Sequence, residues 1–123
     1  MPRVLLIDDE EPIRRMFRTI LELAGFSVET EASAHDGVEA LTSNNYDVVI
    51  TDIKMETPTA GFEVVKKATH LKPRPLTVVL TAFPIPQNVW KKAGADALFS
   101  KGAGMNLVEQ IQKLVRSHRP ATI

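Results

Sequence analysis

Five short apolar runs, each followed by a stretch of helical spacing, are the feature of this sequence that most restricts its fold. "RVLLI" (Arg3–Ile7) is a continuous apolar run, typical of a strand buried on both faces. Strands that alternate with helices favour a parallel sheet covered on both sides and joined by right-handed crossovers. The sequence therefore predicts a three-layer, doubly wound (βα)5 α/β domain. The other predicted strands are Phe26–Glu31, Asp47–Thr51, Leu76–Thr81 and Asp96–Ser100.

Helix signals lie between these strands. Pro12 suits the first turn of a helix, and Gly25 stands where that helix would end. A third helix is predicted to begin after Gly61 and to be closed by Pro73, because proline cannot continue a helix. The two prolines of "FPIPQ" (residues 83–87) delay the fourth helix, which we therefore expect to be short.

Composition limits the classes of function. The 123 residues fit a single domain, residues 1–123. The 15 basic and 15 acidic residues cancel, which argues against direct binding of nucleic acid. The lack of cysteine excludes disulfide and thiol chemistry. No run approaches the roughly 20 apolar residues of a membrane helix, and the N-terminal apolar run is too short for a signal peptide. We therefore expect a cytoplasmic protein without a membrane partner.

Polar side chains follow four of the five predicted strands at the point where each strand ends. In open parallel sheets, ligands bind beyond the carboxyl ends of the strands. Each residue has an ordinary alternative: an aspartate can cap a helix or form a turn, a threonine is common at strand ends, and a lysine is usually solvated. A single functional site explains these four strand ends better than four independent coincidences at one edge of the sheet. The residues are Asp8, Asp9, Asp52, Thr81 and Lys101.

Three carboxylates brought together at this edge would repel one another. A pair of unit charges 4 Å apart costs on the order of 1 kcal/mol in water and about 4 kcal/mol at an effective dielectric constant of 20. A single lysine does not neutralise three acids, whereas a divalent cation would. Oxygen ligands without cysteine or histidine indicate Mg²⁺, with Mn²⁺ as an alternative, rather than Zn²⁺. Such a site is suited to holding a phosphoryl group.

Together these residues resemble the receiver domain of two-component response regulators, and the resemblance covers the whole chain. It is carried by the acidic pair Asp8-Asp9, by Asp52 in "TDIKM", by Thr81 in "LTA" and by Lys101 after "GADALFS". The resemblance implies a flavodoxin-like sheet with strand order 2-1-3-4-5. It also implies partners: a sensor histidine kinase or phosphotransfer protein upstream and an unidentified protein downstream.

The resemblance also implies a role for each residue. Asp52 would accept a phosphoryl group from a phosphohistidine. Mg²⁺ would be held by Asp9, Asp52 and the main-chain carbonyl of Lys54, with Asp8 acting through water. Lys101 would contact a phosphoryl oxygen, and the Thr81 hydroxyl would follow the phosphoryl group. A receiver is not an enzyme acting on a separate substrate, although it promotes its own phosphorylation and dephosphorylation.

The sequence departs from the family pattern near the predicted site. Met55 is followed by Glu56 where receivers usually have proline, and the stretch from Asp52 to Gly61 is one residue longer than usual. Leu98 stands at the position of the aromatic switch. Phe99 follows it and should point to the opposite face of the strand, because side chains alternate along a strand.

Further departures concern the lysine and the fourth helix. Gly102 follows Lys101 where the family has proline. Lys54 and Phe83 flank the predicted pocket at positions that tune dephosphorylation in the family, and the bulk of Phe83 would restrict attack by water. Because the fourth helix should be short, we expect that this chain does not use the family's symmetric dimer on helix four, strand five and helix five.

Three other kinds of protein match parts of the pattern. A pseudo-receiver would be an interaction module that takes no phosphate, and the altered loop, switch and lysine neighbour keep it open. A dehalogenase-type phosphatase also uses an aspartate and Mg²⁺, but it requires an Asp-x-Asp motif after the first strand. A flavodoxin requires a phosphate-binding loop without acidic residues at that position. No second domain follows the last predicted helix, so both a stand-alone regulator and a piece of a longer one fit.

Overall fold

The computed structural model describes residues 1–83, 85–102 and 105–118. Five parallel strands form one sheet in the order β2-β1-β3-β4-β5, with one helix after each strand, as predicted. The strands are β1 (Arg3–Ile7), β2 (Ser27–Glu31), β3 (Val48–Thr51), β4 (Leu76–Thr81) and β5 (Ala97–Ser100). The helices are α1 (Glu11–Leu23), α2 (Ala34–Ser43), α3 (Ala60–Thr69), α4 (Gln87–Ala93) and α5 (Met105–Ser117).

Apolar side chains fill two layers, one on each face of the sheet. On one face, Phe17 and Leu21 of α1 and Ile111 of α5 pack against side chains of the central strands, such as Leu6 and Ile50. On the other face, α2 and α3 cover the alternate strand residues, and a smaller cluster continues under α4. The alternation of side chains along each strand produces these two layers. The three-layer doubly wound architecture is therefore confirmed.

The strand register places the polar residues side by side. Ile7 of β1 pairs with Thr51 of β3, so the residues that follow them, Asp8 and Asp52, leave the sheet together. Thr81 of β4 pairs with Ser100 of β5, and the backbone N–H of Lys101 donates to the carbonyl of Thr81 over 3.0 Å. The predicted convergence of strand ends is thus a consequence of parallel pairing.

The third and fifth strands begin one residue later than predicted, and in each case the preceding aspartate adds a side-chain hydrogen bond to its backbone bonds. Asp47 was predicted to open the third strand but lies just before it, where its N–H donates to the carbonyl of Arg3 over 2.8 Å and its carboxylate accepts from the N–H of Arg3 over 2.7 Å. Asp96, predicted to open the fifth strand, accepts from the N–H of Thr77 over 2.9 Å. In both cases a carboxylate tethers the start of its strand to a neighbouring strand.

Helix boundaries also differ from the prediction. The third helix begins at Ala60, just before Gly61, and ends at Thr69, well short of Pro73. The fourth helix begins at Gln87 and has 7 residues, which confirms that it is short. Within the described ranges, no helix combines the length and apolar character needed to cross a membrane.

Candidate functional site

Lys101 lies at the centre of a group of carboxylates at the carboxyl edge of the sheet. Its Nζ lies 2.7 Å from a carboxylate oxygen of Glu10, 2.8 Å from one of Asp52 and 2.9 Å from one of Asp8. The Asp8 side chain is fully buried and that of Asp52 is 8% exposed. The structure therefore joins the ends of β1, β3 and β5 through one ammonium group.

Asp52 is held by the backbone around it as well as by Lys101. Its Oδ1 accepts from the N–H of Ile53 over 2.7 Å, and its own N–H donates to Ile7 over 2.9 Å. The first turn of α3 closes on the same segment, because the N–H of Gly61 donates to the carbonyl of Ile53 over 2.8 Å. A Cβ atom on Gly61 would lie 1.9 Å from the backbone oxygen of Asp52, so only glycine allows this approach. The carboxylate thus projects from a rigid element.

The acidic group has the composition of a site for a hard cation. Asp8, Asp9, Glu10 and Asp52 each offer one oxygen, and these oxygens lie within 4.8 Å of one another. The Oδ2 atom of Asp8 is buried and forms an ion pair with Lys101 Nζ at 2.9 Å. A group of carboxylate oxygens with one of them buried, and with a single ammonium group to balance them, fits a Mg²⁺ or Mn²⁺ site that keeps bound waters.

Burial and ion pairing shift the charge states in the cleft. Burial raises the pKa of the Asp8 carboxyl above its ordinary value, although hydrogen bonds from Lys101 and from the N–H of Glu10 act in the opposite direction. Burial acts to lower the pKa of Lys101, but hydrogen bonds to Asp52, Glu10 and Asp8 outweigh it and raise that pKa. Lys101 is therefore firmly protonated, which suits it to bind an anion.

Thr81 lies beside this group but is bound to its own loop. The Thr81 hydroxyl donates to the carbonyl of Phe83 over 3.0 Å and accepts from the N–H of Phe83 over 3.2 Å. A cleft of about 330 Å³ opens above the carboxylates, and the Phe83 side chain at its wall is 72% exposed. The cleft is lined by Asp9, Glu10, Asp52, Lys54, Met55, Thr81, Ala82, Phe83 and Lys101. The predicted site residues thus line one opening, except for Asp8 and Leu98.

The residues at the predicted switch position pack on opposite faces of β5. Leu98 packs in the cluster under α4 together with Trp90 and Ile85. Phe99 packs against the core on the α1 and α5 face. The predicted opposite orientation of Phe99 is confirmed. No aromatic ring stands at the switch position. Gly102 is exposed, and its N–H donates to Ser100 Oγ over 3.1 Å.

Two contacts of the site region were not predicted. Glu10 was not among the predicted site residues, yet it forms the shortest of the three carboxylate contacts with Lys101. Glu56 was noted only as a departure from the family pattern, yet its two carboxylate oxygens accept from the N–H groups of Ala34 and His35 over 2.9 and 3.0 Å. The lengthened loop after β3 is therefore tied to the start of α2. The only sequence signal for this contact is an acid in the loop, because the pairing depends on loop conformation.

Comparison with known proteins identifies the family. The sequence pattern of the response regulator receiver domain matches residues 4–115. The chain belongs to the response regulator receiver domain family. This assignment places it in two-component signalling and outside the dehalogenase-type phosphatases and the flavodoxins.

Relatives of this receiver include full regulators. Response regulator UvrY of Escherichia coli strain K12 is 34% identical over 125 residues, covering 97% of this chain and 56% of UvrY. The transcriptional regulatory protein CpxR homolog of Haemophilus influenzae is 37% identical over 121 residues, covering 94% of this chain and 51% of that protein. This chain thus spans about half the length of these two relatives.

A solved structure supports the fold. Response regulator TrrA of Thermotoga maritima, crystallised in complex with Mg²⁺-BeF, matches with a TM-score of 0.82 and 29% sequence identity. The match covers 93% of this chain and 99% of TrrA. Both chains are therefore receivers of the same fold over nearly their full lengths.

Proposed function

We propose that this receiver accepts a phosphoryl group on Asp52 and switches conformation to signal a partner protein. The observation that carries this proposal is the contact of 2.8 Å between Asp52 and the protonated ammonium group of Lys101, at the floor of an open cleft. A buried carboxylate beside a fixed cation and below an opening is suited to attack on a phosphorus atom. Receivers of this family act in phosphorelays, which supports the same function.

The transfer itself needs alignment more than covalent machinery. A carboxylate oxygen of Asp52 attacks the phosphorus of a phosphohistidine, and the P–N bond breaks as the P–O bond of an acyl phosphate forms. The electron pair of the broken bond returns to the imidazole ring, which takes up a proton and leaves neutral. Lys101 donates a hydrogen bond to a phosphoryl oxygen and compensates its charge.

The oxygen donors of the acidic group, with the buried Asp8 Oδ2 among them, support a site for a divalent cation. We propose that Asp9, Asp52 and the main-chain carbonyl of Lys54 hold Mg²⁺, with Mn²⁺ as an alternative, and that Asp8 acts through water. When bound, the ion supplies positive charge against the phosphoryl oxygens. The Mg²⁺-BeF complex of TrrA supports this assignment by relationship.

Thr81 is proposed as the residue that reports phosphorylation. Its hydroxyl bonds to the backbone of Phe83 in the unphosphorylated protein, and a phosphoryl group on Asp52 offers it a stronger, charged acceptor. Turning toward that acceptor would release the loop after β4. Because Leu98 replaces the aromatic switch, we propose that the signal passes through this loop and not through a ring.

Lys54 and Phe83 are proposed as modulators of the lifetime of the phosphorylated form, because both line the cleft. The exposed Phe83 ring would cover the acyl phosphate and limit the approach of water. Replacing Phe83 with alanine should speed hydrolysis, measured by the decay of the phosphorylated mass after the phosphodonor is removed. Decay of phosphorylated Phe83→Ala at the wild-type rate would show that Phe83 does not limit hydrolysis.

The partners of this chain are proposed from its family. We propose a sensor histidine kinase or a phosphotransfer protein upstream and a protein target downstream, with no direct nucleic-acid or membrane contact by this single domain in the cytoplasm. The 7-residue α4 supports the proposal that the family's symmetric dimer on α4, β5 and α5 is not used. A monomer in sedimentation of the beryllofluoride complex is expected, and a dimer lost on substitution of Trp90 would contradict it.

Mg²⁺ binding gives a test that needs no kinase. Replacing Asp52 with asparagine should raise the melting temperature without Mg²⁺, since it relieves repulsion, and should weaken stabilisation by Mg²⁺, since it removes a ligand. Glu39→Gln is the matched control, because Glu39 lies in a separate exposed acidic group with His35 and Asp36. Equal stabilisation of wild type and Asp52→Asn would place the cation outside the cleft.

A second candidate function is an interaction module that takes no phosphate. The observation in its favour is the anchoring of the lengthened loop by Glu56 to α2, which gives that loop a structural role of its own. Failure of the folded protein to become phosphorylated would favour this candidate.

A further inference from the structure

The three carboxylates around Lys101 differ in their freedom to leave it. Asp8 is fully buried and Asp52 is 8% exposed, and both project directly from the ends of central strands. Glu10 reaches Lys101 from the N-cap position of α1, and its side chain is 58% exposed. A long exposed side chain can rotate into water at little cost, whereas the two aspartates cannot.

An ammonium group has three N–H donors, and an aspartyl phosphate adds an oxygen that needs one of them. Glu10 forms the shortest of the three contacts, at 2.7 Å, and it lines the open cleft together with Lys101. Its carboxylate therefore lies on the side of Lys101 from which a phosphoryl group would come. In the unphosphorylated protein, the Glu10 carboxylate thus occupies the position beside Lys101 that a phosphoryl oxygen would take.

We propose that Glu10 is a positioning residue that competes with the phosphoryl group for Lys101 and so stabilises the unphosphorylated state. In the unphosphorylated protein, Glu10 holds the ammonium group. On phosphorylation, a phosphoryl oxygen takes its place, and the carboxylate of Glu10 turns into solvent. This inference rests on the proposed function, because it presumes that Asp52 receives the group.

The proposed competition predicts the direction in which a change at Glu10 alters the affinity for an anion. Removing the charge of Glu10 weakens its hold on Lys101, because a glutamine oxygen still accepts a hydrogen bond but carries no charge, and it also removes the repulsion between this side chain and the incoming anion. Anion binding should therefore become tighter in Glu10→Gln. If Glu10 instead helped to hold the cation or to orient Lys101, the same substitution would weaken binding.

The test uses beryllofluoride, a phosphoryl analogue, at saturating Mg²⁺ and follows the bound fluoride by ¹⁹F NMR for wild type, Glu10→Gln and Glu11→Gln. Glu11 is the matched control, because it is the neighbouring exposed glutamate and pairs with Arg15. We expect the apparent Kd to fall about two- to fivefold in Glu10→Gln, the range of an exposed ion pair. Glu11→Gln should stay close to wild type. A separate Mg²⁺ titration by thermal shift shows whether the cation affinity has changed.

Each outcome decides the proposal. Tighter binding in Glu10→Gln alone supports it, and so does binding by Glu10→Gln where wild type binds nothing. Unchanged or weaker binding in Glu10→Gln, with wild type binding normally, overturns the competition and leaves the proposed function intact. Weaker Mg²⁺ binding in Glu10→Gln without a gain in anion affinity would show a role in holding the cation. Absence of binding in all three proteins would overturn this inference together with the proposed function.

Discussion

At the scale of single residues, Lys101 links side chains from distant parts of the sequence. The residue types at the strand ends predicted that Asp8, Asp52 and Lys101 would meet, and the parallel register explains why they do. The sequence could not predict that Glu10 would join them. A glutamate at the start of a helix can point to solvent or back across the sheet edge, and its direction depends on how the helix is packed.

Tyr46 provides a residue-scale test away from the cleft. Its hydroxyl donates to Glu29 over 2.9 Å, and its side chain is almost fully buried. Burial and this hydrogen bond raise the pKa of Tyr46 to about 12. An unfolded tyrosine titrates near pH 10, so the unfolded chain loses its phenolic proton first and the free energy of unfolding falls as the pH rises between about 10 and 12.

Replacing Tyr46 with phenylalanine should remove this alkaline loss, which is on the order of 2 kcal/mol. Urea unfolding of both proteins across this pH range gives the comparison. Because Tyr46 is the single tyrosine, its ionisation can also be followed directly by ultraviolet absorbance. Parallel pH profiles for the two proteins, or titration of the folded wild type near pH 10, would contradict the expectation.

At the scale of elements, the loop between β3 and α3 is joined to the first turn of α2. Glu56 acts as a cap supplied from outside the helix, in addition to the ordinary cap that Ser33 provides to the N–H of Asp36. A carboxylate at a helix N-terminus satisfies free N–H groups and interacts favourably with the helix dipole. The contact therefore fixes the loop after β3 against α2.

Replacing Glu56 with glutamine should lower the free energy of unfolding by about 0.5–2 kcal/mol, the range for loss of a helix cap. Hydrogen exchange at the amides of Ala34 and His35 should become faster. Glu109→Gln, an exposed change on α5, serves as the control. Unchanged exchange at both amides would show that Glu56 does not cap α2.

The Glu56 contact also has a pH dependence with a defined sign. Burial acts to raise the pKa of Glu56, but hydrogen bonds from the N–H groups of Ala34 and His35 outweigh it and lower that pKa. The stabilisation is therefore present above the ordinary glutamate pKa and is lost as the pH falls through the lowered value. The difference in stability between wild type and Glu56→Gln should disappear in that acidic range.

Gly61 tests the packing of α3 against the segment that carries Asp52. A Cβ atom there would lie 1.9 Å from the backbone oxygen of Asp52 and 2.6 Å from Cα of Ile53, so the helix or the loop must move. Gly61→Ala should cost about 1–3 kcal/mol of stability and weaken beryllofluoride binding, since overpacking displaces the backbone. Gly102→Ala is the matched control, because its nearest neighbour would be Ser100 Oγ at 3.6 Å. Equal stability of the two variants in urea unfolding would contradict this reading of Gly61.

At the scale of the whole molecule, apolar runs and helical spacing were enough to predict the layers, the parallel sheet and the edge that carries the site. The alternation of side chains also predicted that Leu98 and Phe99 would pack on opposite faces. Element ends were less predictable: Asp47 and Asp96 lie just before their strands and add carboxylate contacts to their backbone hydrogen bonds. Contacts between loops, such as Glu56 with α2, depend on three-dimensional proximity that local patterns do not encode.

The central claim is that Asp52 accepts a phosphoryl group in a cleft completed by a divalent cation. Intact-mass spectrometry after incubation with acetyl phosphate and Mg²⁺ tests it most directly, with Asp52→Asn and an EDTA-treated sample run alongside. We predict a single phosphoryl adduct on wild type and none on the variant or without the cation. An unmodified wild type that is still folded would contradict the claim and would leave the receiver as an interaction module, with the loop after β3 as a candidate docking surface.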